Sequence, residues 1–138
     1  MNDLAVNFQT FNTEPRSQQT LLMQAARYGD LVGLEEELPD TAINARNSDG
    51  NNALWFACFS NNPKAVQFLI NEGIDIDNQN DNGATALIYS ASAGKAEVVE
   101  LLLNAGADTS LMTLDDFTAL ELAANRKIMQ LLRQHNVK

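Results

Sequence analysis

The side chains able to act as nucleophiles, general bases or metal ligands are few in this sequence of 138 residues. It has one cysteine, Cys58, and one histidine, His135. A cysteine nucleophile needs a base close to it, whereas Cys58 lies within the apolar run ALWFACF and is expected to be a core thiol. His135 lies near the end of the sequence, where we expect a solvated side chain at a helix C-terminus. These counts exclude an internal disulfide and a multi-cysteine metal site, and they argue against a zinc site built on histidines.

Acidic residues are more numerous, but their spacing matches no catalytic or metal-binding pattern. The stretch Asp75–Gly83 superficially resembles a calcium-binding loop. Counted from Asp75, however, the sixth position is Asn80 instead of glycine, and the twelfth is Ala86 instead of glutamate. The sequence contains no glycine-rich phosphate loop and no cluster of metal ligands. We therefore expect no enzymatic activity, no bound metal and no cofactor.

Composition and charge narrow the class of protein further. Hydrophobic residues make up 45% and charged residues 20%, as in a folded soluble domain. No apolar run could span a membrane, and the first residues do not form a secretory signal, so we expect a cytoplasmic protein without a membrane partner. The net charge is −9, and residues 30–116 carry 15 acids and three bases. This charge disfavours nucleic acid and would attract a basic protein, although acids also simply keep a protein soluble.

A repeat of 33 residues runs through most of the sequence and sets the elements that position these side chains. Gly50 and Gly83 are 33 residues apart, and many apolar positions keep this spacing. The last unit lacks three residues between its helices, so we expect its turn to tighten or its helices to merge. Residues 1–18 match no repeat and form either a flexible leader or an arm packed on the first repeat. The period predicts one domain over 19–138, with repeats at about 19–46, 47–79, 80–112 and 113–138.

Each unit has the same predicted plan of helix, short turn, helix and polar loop. In the third unit, Thr85 caps the first helix and Gly94 ends it in the left-handed conformation. The segment Ala96–Asn104 carries a wide apolar stripe and is predicted to form the second helix, which Gly106 ends. One helix pair cannot cover its own apolar face, whereas stacked pairs can. The predicted fold is an all-α solenoid of stacked helix-turn-helix units joined by β-turn loops.

This plan resembles the ankyrin repeat. The residues that carry the resemblance best lie in the third unit, at Gly83, Thr85, Leu87, Ala91, Gly94, Val98, Val99, Leu101, Leu102, Gly106, Ala107 and Asp108. The histidine of the family's Thr-Pro-Leu-His motif is replaced here by Met23, Trp55, Ile88 and Glu121. That histidine ties neighbouring loops in the family, so those ties must be made otherwise or be absent. Asn61 and Asp116 stand at loop glycine positions, and both residue types tolerate a left-handed backbone.

The resemblance implies a monomeric, non-catalytic protein-interaction module, since partners of ankyrin repeats usually bind the loop tips and the concave face. The matching loop-tip positions are Arg46, Ser48, Asp49, Asn51, Gln79, Asp81, Met112, Leu114, Asp115 and Phe117. The concave positions and their neighbours are Arg27, Tyr28, Trp55, Phe59, Tyr89, Ser92, Asn125 and Arg126. Several are more apolar than solvent requires, which fits protein binding, although Tyr28, Phe59 and Phe117 could instead fill gaps between repeats.

Two interpretations of the function stay open from the sequence. The first is an adaptor or assembly role, with the partner docked on the concave face and loop tips. The alternative is an acidic inhibitor or immunity-type protein that neutralises a basic enzyme such as a nuclease. The acidic charge favours the alternative, and the apolar concave positions favour the first.

Overall fold

Four pairs of α-helices form the protein in its computed structural model, which describes residues 20–40 and 42–136. The predicted leader, residues 1–18, lies outside the described residues. In chain order the helices are α1 (Leu21–Arg27), α2 (Leu31–Glu37), α3 (Ala53–Phe59), α4 (Pro63–Asn71), α5 (Ala86–Ser92), α6 (Ala96–Asn104), α7 (Ala119–Leu122) and α8 (Arg126–Asn136). A short 3-10 helix, Leu38–Asp40, follows α2. The described residues contain no strand, so the predicted all-α class is confirmed.

The helix pairs stack into two layers, as the repeat predicts. Helices α1, α3, α5 and α7 pack side by side in one layer, and α2, α4, α6 and α8 pack side by side in the other. Within each pair the two helices also contact each other. Each pair therefore covers the apolar face of its neighbours, which is why the units are stable only as a stack. None of the helices in the described part of the chain is long and apolar enough to cross a membrane.

Polar caps fix where the helices of the first layer begin. The four caps occupy equivalent positions, and each side-chain oxygen accepts a hydrogen bond from a backbone N–H in the first turn: Thr20, Asn52, Thr85 and Thr118. Such a cap stabilises a helix by about 1 kcal/mol. The cap predicted at Thr85 is therefore confirmed.

Left-handed residues end the helices and turn the loops where the sequence predicts them. Gly94 follows α5 with φ of 78°. Asn61 and Asp116 stand at glycine positions of the repeat and also take positive φ, 55° and 66°. The predicted second helix of the third unit, Ala96–Asn104, has the expected bounds. The local signals in the sequence thus place both the helices and their ends.

The core lies between the two layers. Leu22, Leu54 and Leu87 hold equivalent positions, and each side chain is only 1% exposed. Burying a side chain of this size contributes about 1.5–3 kcal/mol. Small Ala57 and Ala91 are fully buried and allow the helices to approach closely. The buried positions continue from the first pair to the last, so the stack has one contiguous core.

The two end pairs depart from the inner ones. In the last pair, α7 has four residues, and Ala123 leaves the helical conformation with ψ of 129°, so the turn tightens and the helices do not merge. In the first pair, Glu35 and Glu36 are exposed, as expected of an outer face. The apolar side of α2 is only partly covered: Leu34 is buried, but Leu31 is 37% exposed because it starts α2 at the end of the stack.

Candidate protein-binding surface

Four aromatic rings line the open side of the first-layer helices, and we call them the aromatic patch: Tyr28, Trp55, Phe59 and Tyr89. The rings of Trp55 and Phe59, one helical turn apart on α3, stack with centroids 5.3 Å apart and planes 16° apart. Tyr89 of α5 packs against Trp55 at 5.1 Å and lies 6.4 Å from Phe59. Burial raises the pKa of Tyr89. Rings from two successive repeats thus form one continuous surface.

The patch keeps much of its area open to solvent. Tyr28 is 76% exposed and Phe59 is 44% exposed, whereas Trp55 and Tyr89 are partly buried. The idea that Tyr28 and Phe59 only fill gaps between repeats does not account for these exposed fractions. Trp55 both fills space between the repeats and forms part of the surface. It packs between Phe59 and Tyr89 and also against Phe56. Aromatic rings held rigidly at a surface are typical anchors of protein interfaces.

Two cations lie against the rings. The guanidinium carbon of Arg27 is 5.6 Å from the centroid of Phe59 and 5.9 Å from that of Tyr28. The Lys95 ammonium is 5.9 Å from the centroid of Tyr89, and it donates a hydrogen bond to the carbonyl oxygen of Phe59 at 3.1 Å. These distances are those of cation–π contacts, which hold a cation against a ring face at about 6 Å or less.

Lys95 stands at a position that caps a helix in the other pairs. Asp30, Asn62 and Asn125 precede α2, α4 and α8, and the side chain of each accepts a hydrogen bond from a backbone N–H of the first turn. Lys95 precedes α6 and makes no such bond. A missing cap costs about 1 kcal/mol, and a cation is also unfavourable at a helix N-terminus. Local stability therefore does not explain this lysine, and departures of this kind are typical of functional sites.

The loop tips form a second surface, with its own ties between repeats. Arg46 donates to the carbonyl oxygens of Gly50 at 3.1 Å and Gln79 at 3.2 Å. Gln79, 33 residues later, donates likewise to Gly83 at 3.0 Å and Met112 at 3.1 Å. Side chains at equivalent positions thus replace the family's histidine ties. Arg46 and Gln79, both predicted to bind a partner, first of all hold the tips together.

The other predicted tip residues divide into three groups. Asn51 is buried, and its side-chain oxygen accepts a hydrogen bond from Asn80 at 3.0 Å, so it lies beneath the surface. The exposed polar tip residues are Ser48, Asp49, Asp81 and Asp115. The exposed apolar ones gather at the last tip: Met112 at 48%, Leu114 at 73% and Phe117 at 45%. The tips therefore offer an acidic row that ends in an apolar group.

Acids and bases gather at opposite ends of the stack. The short turns within pairs lie at one end, where the Ser60 hydroxyl donates to the Ala26 carbonyl at 3.3 Å. The long loops lie at the other, where the Asp81 N–H donates to the Asp49 carbonyl at 3.0 Å. Each short turn, together with the last residue of the helix before it and the first two of the helix after it, forms the short-turn end; these segments carry five bases and two acids: Arg27, Asp30, Lys64, Lys95, Glu97, Arg126 and Lys127. Residues of the long loops carry one base and eight acids: Arg46, Asp49, Glu72, Asp75, Asp77, Asp81, Asp108, Asp115 and Asp116.

A family model described as ankyrin repeats (many copies) matches residues 54–103, the second and third helix pairs. Among solved structures, the chain is similar to the crystal structure of the ankyrin repeat domain of Bcl-3, described as a unique member of the IkappaB protein family. The TM-score is 0.80 and the sequence identity 27%, over 83% of this chain and 51% of that one. This chain contains ankyrin repeats and has the fold of an ankyrin repeat domain. It spans about half the length of the Bcl-3 domain.

Ankyrin repeats serve as protein-interaction modules, generally without catalysis, and this chain has that architecture. In all, 506 solved chains match, so the fold alone does not identify a partner. No curated protein matches the chain. The specific surface of this ankyrin repeat protein has to be argued from its own side chains.

Three predicted concave residues lie outside the aromatic patch. Ser92 is exposed at the end of α5, and its hydroxyl donates to the carbonyl of Tyr89 at 3.0 Å. Asn125 is exposed and caps α8, where its oxygen accepts from Ile128 at 3.0 Å. Arg126 is exposed at the start of α8. They continue the surface toward the last repeat without ring contacts.

A groove on the first repeat of this ankyrin repeat protein was not predicted from the sequence. It has a volume of about 310 Å³ and is lined by Leu21, Gln24, Ala25, Tyr28, Asp30, Gly33, Glu36 and Glu37. Tyr28 joins it to the aromatic patch. Its lining includes three acids, Asp30, Glu36 and Glu37. Leu21, an apolar residue of its lining, is 59% exposed.

The residues that could do chemistry are placed as the sequence predicts. Cys58 is fully buried, and burial raises the pKa of its thiol to about 12. A thiol with this pKa is protonated and unreactive at neutral pH. His135 is exposed on α8, far along the chain from Cys58. Over residues 20–40 and 42–136, no group of three or more His, Cys, Asp or Glu side chains could hold a metal ion.

Proposed function

We propose that this ankyrin repeat protein binds a protein partner across the concave face, through the aromatic patch and the neighbouring loop tips, in an adaptor or assembly role. The observation that supports this most is the row of exposed rings that crosses from one repeat to the next. Stacked rings present apolar area in a fixed geometry, so little conformational entropy is lost on binding. Polar residues surround the rings, which is the usual arrangement of a binding core and its rim.

The experiment is an affinity capture from extract of the native cells, with matched variants. Phe59→Ala and Tyr28→Ala remove exposed rings, and Gln67→Ala on the outer face of α4 is the control. We expect a set of proteins that wild type and Gln67→Ala retain and that Phe59→Ala loses. Circular dichroism checks that each variant keeps its helices. Capture by Phe59→Ala and Tyr28→Ala equal to wild type would reject the concave face as the binding surface.

A second candidate function rests on the acidic loop end. Asp49, Asp81 and Asp115 are exposed along the tips, and the described long loops carry eight acids against one base. Such a row would steer a basic enzyme, and an inhibitor of such an enzyme would bind by it. Replacement of the three aspartates by asparagine should then weaken binding and reduce its dependence on salt. Binding that keeps its salt dependence in this triple variant would exclude the inhibitor function.

A further inference from the structure

We propose that the aromatic patch, together with Arg27 and Lys95, binds a partner segment that carries a carboxylate next to an aromatic or aliphatic side chain. This inference rests on the proposed function, because it specifies the chemistry of the partner at the same surface. It runs against the net charge of −9, which by itself would favour a basic partner. Local charge decides at close range, since exposed charges are screened beyond about 8 Å at physiological salt.

The rings provide the apolar half of the site. Phe59 lies at its centre, because it stacks on Trp55, lies near Tyr89 and contacts Arg27. Its ring is 44% exposed although it is held on several sides. An aromatic or aliphatic side chain of a partner would therefore find a rigid apolar surface. Such anchors carry most of the free energy of binding in protein interfaces.

The cations provide the polar half, and both meet at Phe59. Arg27 lies over its ring, and Lys95 donates to its carbonyl oxygen. The guanidinium of Arg27 donates no hydrogen bond to another described residue, and Lys95 uses one of its three donors. The acids nearest along the chain to these cations are Asp30, in the short turn after Arg27, and Glu97, in the first turn of α6. Within the described residues neither pairs with these cations, and Asp30 is bound to the N–H of Gly33.

Lys95 supplies an independent observation. Among the four second-layer helices that the structure describes, α6 alone begins without a side-chain cap, and Lys95 is the residue that precedes it. The lysine therefore costs stability where it stands and places a positive charge beside the rings. A free carboxylate held by these donors would form charge-assisted hydrogen bonds, which are about twice as strong as neutral ones. A basic segment would instead meet two like charges at this position.

The experiment is a selection of random 12-residue peptides displayed on phage against the immobilised chain. Trp55 is the only tryptophan, so its fluorescence reports directly on the patch when a selected peptide is added. Affinities are then compared for wild type, Arg27→Gln, Lys95→Asn, Phe59→Ala and the control Lys64→Gln. Lys64 is an exposed base at the same end of the stack and contacts no ring of the patch. Lys95→Asn is expected to fold at least as stably as wild type, so loss of binding would not reflect unfolding.

We expect the selected peptides to combine Asp or Glu with an adjacent aromatic or aliphatic residue and to change the emission of Trp55. Arg27→Gln and Lys95→Asn should each weaken them about tenfold, and Lys64→Gln less than twofold. Basic peptides, neutral peptides insensitive to both charge variants, or failure to enrich any peptide would overturn the inference. If basic or neutral peptides are selected and Phe59→Ala no longer binds them, the carboxylate inference fails, but the concave face is still the binding surface and the proposed function stands. If Phe59→Ala keeps all binding, the proposed function fails as well.

Discussion

The ammonium group of Lys95 donates a hydrogen bond to the carbonyl oxygen of Phe59 over 3.1 Å and so links the third helix pair to the second. The same lysine leaves the N-terminus of α6 without a side-chain cap. One residue thus gives up a local contact and gains a contact between repeats. The balance between the two can be measured.

Lys95→Asn should raise the free energy of unfolding. Asparagine at this position restores the cap that Asn62 and Asn125 provide in the neighbouring repeats, a gain of about 1 kcal/mol. The hydrogen bond to Phe59 that is lost is exposed and therefore contributes less. Urea unfolding followed by circular dichroism measures the difference. Lys95→Ala, which loses the same contact without adding a cap, is the control. A loss of stability in Lys95→Asn as large as in Lys95→Ala would show that the cap does not form.

The period of the sequence was sufficient to predict the fold, because caps, left-handed residues and apolar stripes recur at fixed positions. Thr85, Gly94 and Asn61 illustrate this, since Thr85 caps a helix through its own side chain, and Gly94 and Asn61 turn the chain through their own left-handed backbone. A side chain at a repeated position can therefore be assigned without knowledge of the rest of the structure.

The site could be predicted only in part, because it depends on contacts between repeats. The sequence identified Phe59 and Tyr89 as concave, but not that their rings meet through Trp55. It also assigned Asn51 to the surface, although a hydrogen bond from Asn80 holds it in the buried base of the loop. The gathering of bases at the short-turn end was visible in the sequence, once charges are counted by position in the repeat instead of along the chain.

Ser90→Ala should stabilise the protein by about 1 kcal/mol, because the Ser90 hydroxyl is buried and its one polar neighbour among the described residues is the Cys58 thiol, a weak partner that forms no hydrogen bond of good geometry with it. The equivalent residue of the second repeat is Ala57, which is fully buried, so alanine fits the space. Thermal unfolding and urea unfolding both report the change. Ser92→Ala, on the exposed side of the same helix, is the control and should change stability by less than about 0.5 kcal/mol. A destabilised Ser90→Ala would mean that the hydroxyl has a strong partner after all.

Gly83→Ala should destabilise the protein by at least about 2 kcal/mol, for two reasons. Gly83 has φ of 78°, which costs an L-residue about 1–2 kcal/mol. An added Cβ would also lie 2.9 Å from the backbone nitrogen of Leu114 and 3.1 Å from the backbone of Thr113, so the next loop tip must move.

Gly106→Ala separates these two effects. Gly106 has φ of 94°, but an added Cβ there would have no atom within 4 Å, so its substitution costs only backbone strain. Urea unfolding measures the loss in free energy of unfolding for each variant. The loss in Gly83→Ala minus the loss in Gly106→Ala is the contribution of the contact between the tips. Equal losses in the two variants would show that the tips of the second and third loops can separate freely.

The buried thiol of Cys58 makes stability fall at alkaline pH. Burial raises its pKa from 9.0 to about 12. Between these values the unfolded chain releases the proton and the folded chain keeps it, so the free energy of unfolding falls as pH rises, by up to about 1.4 kcal/mol per pH unit. Cys58→Ala removes this effect, and alanine fits because the equivalent residue Ala91 is also fully buried. Urea unfolding at pH 8 and pH 10 should therefore show a smaller loss of stability in Cys58→Ala than in wild type. The two proteins share their tyrosines and lysines, so an equal loss in both would mean that the thiol ionises as readily in the folded state as in the unfolded one.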